Sequence, residues 1–357
     1  MSRRPDKLVA YEPVLARHPP TDPWRHTAGA RPCYAPDYGL LGELLTQPVR
    51  GGEASESGAF AKGIDAWIAH ELRRAGFGAD EVWPRASQPR VLPRDVAVLL
   101  DKLPKALADE VRARVGAMPA VTPADAVILG RAYDKQVDVV ISRWERGPEL
   151  LISTKAQVSS FGKNLPNRFE EAYGDAGNLR GRYPLAAVGF LFVQRSTILD
   201  TEPDAFERTI DMIRKLRAGA GVPGGVGVGA DSGGYTATAL VLVEWDDIAD
   251  GPAAGPALAA GPALAPSGVR VRHDVVPADV AAPQFFTTLI RHITAVTPVV
   301  HHVRVRELLE RRNLPVAEAD ADALTAEANT AAGTDPATRA TEPTGPLLID
   351  VPLFPDL

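Results

Sequence analysis

Apolar side chains recur every three to four residues from Ala59 to Ala75, with Ile64, Trp67, Ile68 and Leu72 on one stripe. That spacing predicts an amphipathic helix. Gly76 stands where a C-cap belongs, and Phe77 resumes the apolar pattern. Val82 and Trp83 read as a short strand. Residues 93–118 are helical in pattern, with a break near Pro104, and 123–133 read as another helix. The period then shortens. Residues 137–144 and 149–158 are β-rich, and Arg146, Gly147 and Pro148 between them are turn formers, so the pair predicts a hairpin. A helix follows from Pro166 to about Arg180, with the proline suited to a first turn. Residues 185–194 form a continuous apolar strand, of the kind buried on both faces. An amphipathic helix at 204–217, a strand at 235–245, and then strand, helix and helix at 269–276, 284–295 and 303–312 complete the pattern. This order predicts an α/β fold with a mixed central sheet flanked by helices.

Around this domain, spanning 59–315, composition changes. Residues 1–58 are rich in Pro, Gly and turn formers and read as an N-terminal extension, with Trp24, Tyr34 and Tyr38 as anchors onto the core. Residues 251–268 contain GPALA twice and read as a low-complexity inserted loop. Residues 316–345 have almost no large apolar side chain and are expected to be a disordered acidic linker. The segment 346–357 is apolar again, either a tail that docks a partner protein or one that packs back on the core.

The chain has 357 residues, 45% hydrophobic and 24% charged, with Cys33 as its one cysteine. A lone cysteine excludes an internal disulfide, a zinc finger and an iron–sulfur cluster. The longest apolar run, 185–193, is far short of the roughly 20 residues that cross a bilayer. The N-terminus is basic but lacks a following apolar stretch, so no membrane association is expected and the cytoplasm is the expected location. The net charge of −6 misleads, because residues 316–357 alone carry eight acids and one base. Residues 131–195 hold ten Lys or Arg against seven Asp or Glu, which permits a polyanionic partner.

The hairpin carries the candidate chemistry. With its turn centred between Arg146 and Gly147, Asp138 lies opposite Lys155 and Val140 opposite Ser153. Asp138, Ser153 and Lys155 then share one sheet face, while Val139, Ile141, Leu150 and Ile152 point to the other and build the core. A carboxylate beside a lysine suits phosphodiester hydrolysis. The carboxylate holds Mg²⁺ and the lysine orients the attacking water. A second oxygen ligand is expected, from Ser153 or from Glu170 or Glu171 on the following helix. A plain cross-strand ion pair between Asp138 and Lys155 is the competing reading.

Asp138, then Ser153-Thr154-Lys155, on a hairpin preceded by a helix with acids, resembles the PD-(D/E)XK nuclease superfamily, which includes many type II restriction enzymes. The chain departs from the usual motif at Val137, where the motif has Pro, and at Ser153, where it has an acid. A subset of restriction enzymes also reads Ser-x-Lys and takes its missing carboxylate from the next helix, in an Arg-x-Glu context. Arg168-Phe169-Glu170 is similar to that context. The resemblance covers roughly 59–195. It implies a restriction-endonuclease-like core, metal roles for Asp138 and Glu170 with Glu171 as neighbour, and a catalytic role for Lys155. It also implies a further acid from the first helix, Asp65 or Glu71. The implied cofactor is Mg²⁺ (or Mn²⁺), and the implied activity is endonuclease cleavage of DNA in restriction or bacterial defence, with a homodimer suited to cutting two strands. RNA stays open as a substrate. The donors dense after the strand, notably Gln157, Lys163, Arg168 and Arg180, would track the phosphates. The alternatives are a catalytically silent nuclease fold that binds nucleic acid, which Ser153 favours, and a scaffold protein. The GxGxxG match at 219–224 follows a helix and contains Pro223, so it does not make a dinucleotide fingerprint.

Overall fold

A computed structural model of the chain describes residues 6–27, 30–52, 58–118, 120–217, 233–246 and 268–311. The expectations for 251–267, for 316–357 and for the glycine-rich run at 219–224 lie outside the described residues. The helices are α1 (Glu12–Arg17), α2 (Tyr38–Arg50), α3 (Ala59–Arg74), α4 (Arg94–Lys102), α5 (Lys105–Gly116), α6 (Phe161–Arg180), α7 (Ile198–Thr201), α8 (Pro203–Lys215), α9 (Ala282–Val296) and α10 (Val303–Glu310). The strands are β1 (Trp24–Arg25), β2 (Cys33–Tyr34), β3 (Val82–Trp83), β4 (Ala126–Leu129), β5 (Asp134–Val137), β6 (Val139–Arg143), β7 (Gly147–Gln157), β8 (Ala187–Arg195), β9 (Ala237–Glu244) and β10 (Arg270–Val271).

The central sheet has the order β10-β9-β8-β7-β6-β3. β7, β8 and β9 run parallel, and the pairs β3–β6, β6–β7 and β9–β10 are antiparallel. The sheet is therefore mixed, as the element order predicts. Parallel neighbours need a crossover connection, and α6 supplies the one between β7 and β8. Both faces are covered. Val139, Ile141, Leu150, Ile152, Leu191 and Val193 pack against α2, α3 and α9, while Val140, Leu151, Phe190 and Phe192 pack against α6 and α8. The alternation of these residues along β6, β7 and β8 assigns them to the two layers. β8 is buried along nearly its whole length, which explains its unbroken apolar run.

Four expectations need correction. Residues 126–137 form a hairpin, β4 with β5, instead of a helix over 123–133, because β-branched Val127 and Ile128 precede a turn at Gly130. Helix α6 starts at Phe161, five residues before Pro166. The carboxylate of Glu202 accepts from the backbone N–H groups of Phe161 (3.0 Å) and Gly162 (2.6 Å), satisfying donors that a helix start otherwise leaves unpaired. The segment after 268 gives only the two-residue strand β10. Finally, the core does not begin at residue 59: residues before it share it, with Trp24, Tyr34 and Tyr38 anchored there as expected. Tyr11, Trp24, Tyr34, Leu40, Leu41, Leu44 and Leu45 are buried in the same core as α3 and α9.

Candidate active site

The register of the β6–β7 hairpin decides which side chains meet. Gly147 adopts a left-handed φ of 71°, so the chain turns over residues 144–146 and Gly147 already pairs with Arg143. An irregularity between Ile141 and Ser142 then sets Val139 opposite Ile152. Continued one step, the register places Ser153, and not Lys155, across from Asp138. The two-residue slip keeps every side chain on its expected face but changes the neighbours.

Asp138 sits where β5 passes into β6. Its backbone N–H donates to the carbonyl of Ile152 (3.2 Å), and its Oδ2 accepts from the backbone N–H of Thr154 (2.8 Å). Thr154 belongs to the layer of Ile152 and faces α3, where its hydroxyl donates to Oδ1 of Asp65 (2.9 Å). One threonine thus ties together two carboxylates, one from the first long helix and one from the head of the hairpin. Asp65 is 1% exposed. Lys62, three residues earlier on the same helix face, places Nζ 3.2 Å from Asp65 Oδ2 and 3.1 Å from Asp125 Oδ1.

Burial pushes the Asp65 carboxyl up to about 7, and the charge of Asp138 adds to this, while Lys62 pulls against both. Burial likewise raises Asp138, against hydrogen bonding from Thr154 and the charges of Lys62 and Lys155. Burial alone would lower Lys62, but Asp65, Asp125 and Asp138 outweigh it and hold the ammonium well above its ordinary range. Two carboxylates are therefore held close in a poorly solvated place, where a further cation would be welcome.

Lys155 lies on the opposite layer, toward α6. Its Nζ donates to Glu171 Oε1 at 2.7 Å. Lys135 on β5 joins them, 3.6 Å from Glu171 and 2.5 Å from Asp175, and the Tyr133 hydroxyl donates to Asp175 (3.3 Å). Burial would raise Glu171, but the hydrogen bond from Lys155 and the two ammonium charges hold it below the usual carboxylate range.

The expected site residues thus divide. Asp65 and Asp138 come together through Thr154, and Lys155 reaches Glu171. Glu170 points elsewhere, into an exposed groove between α6 and α8 with Phe169, Tyr173 and Met212, so of the adjacent pair it is Glu171 that meets the hairpin. Gln157 is buried and donates to the carbonyls of Ser160 (3.0 Å) and Phe161 (2.9 Å), while its carbonyl accepts from Gln194 (3.1 Å). It fastens the end of β7 to the start of α6, so its expected phosphate contact is corrected to a structural role. Arg180 donates to Thr236 Oγ1 (2.9 Å) and braces the start of β8 in the same way. Lys163 is exposed and Arg168 partly exposed on α6. Glu71, the alternative to Asp65, is buried with Tyr34, Arg74 and the backbone of Asp37. Sequence reasoning missed Lys62, Asp125 and Thr154. Only the Lys-x-x-Asp spacing of 62 and 65 signalled one of them.

Among the described residues, no group of three or more His, Cys, Asp or Glu side chains is disposed to hold a metal ion. The pair Asp65–Asp138 nevertheless suits Mg²⁺, which commonly takes one or two carboxylates and completes its octahedron with water and substrate phosphate. The hydroxyl of Ser153, buried across from Asp138, has no hydrogen-bond partner among the described residues. Protein-family models, curated proteins and solved structures give no match to this chain.

Proposed function

We propose that the chain is a Mg²⁺-dependent endonuclease hydrolysing DNA phosphodiester bonds, with the restriction-endonuclease-like core of the PD-(D/E)XK nucleases. The observation that carries this reading is the clamping of Asp65 and Asp138 onto Thr154, next to Lys155. The succession of an acid-bearing helix (α3), a hairpin with Asp138 and Lys155 (β6–β7) and a following helix (α6) supports it. A role in restriction or bacterial defence rests on the family resemblance.

In this reading Asp65 and Asp138 would hold the metal. The chemistry that bound Mg²⁺ supplies is neutralisation of charge on the scissile phosphate and a more acidic attacking water. Thr154 fixes both carboxylates through its backbone N–H and its hydroxyl. Lys155, steered by Glu171, offers N–H donors to the phosphate oxygens as their charge grows. Lys62 offsets part of the carboxylates' charge and keeps Asp65 oriented.

The test is cleavage of unmodified plasmid and modified phage DNA with Mg²⁺ or Mn²⁺. Wild type should cut, and Asp138→Asn, Asp65→Asn and Lys155→Ala should each lose at least 100-fold, about 3 kcal/mol of transition-state stabilisation. Glu170→Ala should cut like wild type. Undiminished cutting by Asp138→Asn sinks the assignment. Ser153 in the place of an acid favours a second reading, a catalytically silent nucleic-acid binder, which predicts salt-sensitive DNA binding with no cleavage by wild type.

A further inference from the structure

A cavity of about 380 Å³ opens directly onto Asp65 and Asp138. It lies at the small end of the range for small-molecule sites, roughly 300–1,000 Å³, and so admits one nucleotide but no stacked duplex. Trp83, Pro84, Val91, Ala124, Ala126 and Gln136 are among its lining residues. The indole N–H of Trp83 donates to the Leu92 carbonyl (2.8 Å), so the ring meets the cavity with carbon surface.

The charged residues around the cavity are largely spent on one another. Asp6 accepts from Gln88 (2.9 Å) and Arg90 (2.7 Å), and Asp125 from Lys62 (3.1 Å). What remains is apolar surface with the Gln136 amide and the Lys7 ammonium beside it, adjoining two carboxylates. A neutral planar group with hydrogen-bonding edges fits this lining, and a nucleobase is such a group.

Resting on the nuclease reading above, we propose that this cavity receives one unstacked base of the substrate strand, next to the phosphate to be cleaved. The protein then selects DNA whose bases are free to leave the stack, as in single strands, bubbles and mismatches. Extrusion from a paired duplex costs unstacking and unpairing, whereas an unpaired base enters without that cost.

The experiment measures binding of the full chain, with Ca²⁺ as the non-cleaving ion, to three oligonucleotides of one sequence: single-stranded, duplex with a three-base bubble, and fully paired. Single-stranded and bubble DNA should bind at least tenfold more tightly than paired DNA. Ala124→Trp, at an exposed position on the lining, and Gln136→Trp, on a different segment, should abolish the difference while leaving affinity for paired DNA unchanged. An oligonucleotide with 2-aminopurine at the bubble should change its fluorescence on binding wild type and not on binding either variant. Equal affinity for all three DNAs, or a preference that survives both tryptophans, overturns the proposal. Plasmid cleavage with Mg²⁺ is followed in parallel. Cutting without a preference removes the base pocket alone, whereas no cutting by wild type removes the nuclease reading on which it rests.

Discussion

Asp65 occupies an inward position of α3 among Ile64, Trp67, Ile68 and Leu72, where an apolar side chain would be more stable. Its carboxyl is held at about 7 by burial and by Asp138, against an ordinary value of 3.8. As pH rises between these two values, the unfolded chain gives up its proton first. Folding therefore loses stability across that window, on the order of 2–4 kcal/mol, with no further loss above it. Asp65→Asn escapes the cost. In the absence of divalent ions the variant should melt several degrees above wild type at pH 8 and together with it at pH 4, as scanning calorimetry would report. A gain at pH 8 alongside lost cleavage would mark Asp65 as a residue kept for chemistry at the expense of stability. Equal melting at pH 8 would show that Lys62 already balances the charge.

Helices α2 and α6 show how a glycine's meaning depends on what its element packs against. In α2, a Cβ at Gly42 would stand 2.3 Å from the carbonyl oxygen of Val269, just before β10. Thr46 reinforces the same approach, accepting from the Val269 N–H (2.9 Å) and donating to the Gly42 carbonyl (2.7 Å). Gly42→Ala gains about 1 kcal/mol of helix propensity but forces backbone apart, at a cost of about 1–3 kcal/mol or more. A net loss in chemical denaturation is expected. Gly177 of α6 has nothing within 4 Å of such a Cβ, and Gly177→Ala should stabilise by about 0.5–1 kcal/mol. A stabilising Gly42→Ala would mean that α2 and the segment at Val269 do not pack closely.

Across the whole of the described fold, a buried charge cluster holds α10 to the sheet. His302 places Nε2 2.9 Å from Glu149 Oε2 on β7 and Nδ1 3.8 Å from Glu81 Oε2, just before β3, while Arg143 of β6 also pairs with Glu81. Burial opposes the charge on His302, but Glu149 and Glu81 outweigh it and raise its pKa above the ordinary 6.5. Burial would raise Glu81 too, but His302 and Arg143 bring it down to about 2. The histidine's contribution is present below pH 6.5 and is lost as pH rises through its raised folded value. The glutamate's is present above its ordinary 4.5 and is lost as pH falls toward about 2. Stability from this cluster should therefore peak near pH 5–6. His302→Gln should cost about 1–3 kcal/mol at pH 5.5 and clearly less at pH 9. A cost independent of pH would show that His302 acts by packing alone.

The succession of elements was legible from the chain wherever one face of a segment is apolar and the other polar, because that pattern has only one sensible burial. This holds for α3, α8 and α9, and β8, apolar up to Val193, was readable as a strand covered on both sides. Asp138 and Lys155 were identifiable as a pair worth testing, because a carboxylate and a lysine on one face of a hairpin suit metal-assisted hydrolysis as well as a plain ion pair. The sequence could not reveal their actual neighbours. The turn at Gly147 and the irregularity at Ile141 shift the register by two residues, an outcome that alternation alone cannot detect, since it repeats every two. The starting point of α6 depends on Glu202, about 40 residues away, and the site's Lys62 and Asp125 meet only because α3 lies over the end of β7 beside the β4–β5 hairpin. Local pattern determines which elements form, whereas the identity of the charged partners is a property of distant segments brought together, and only the tertiary structure decides it.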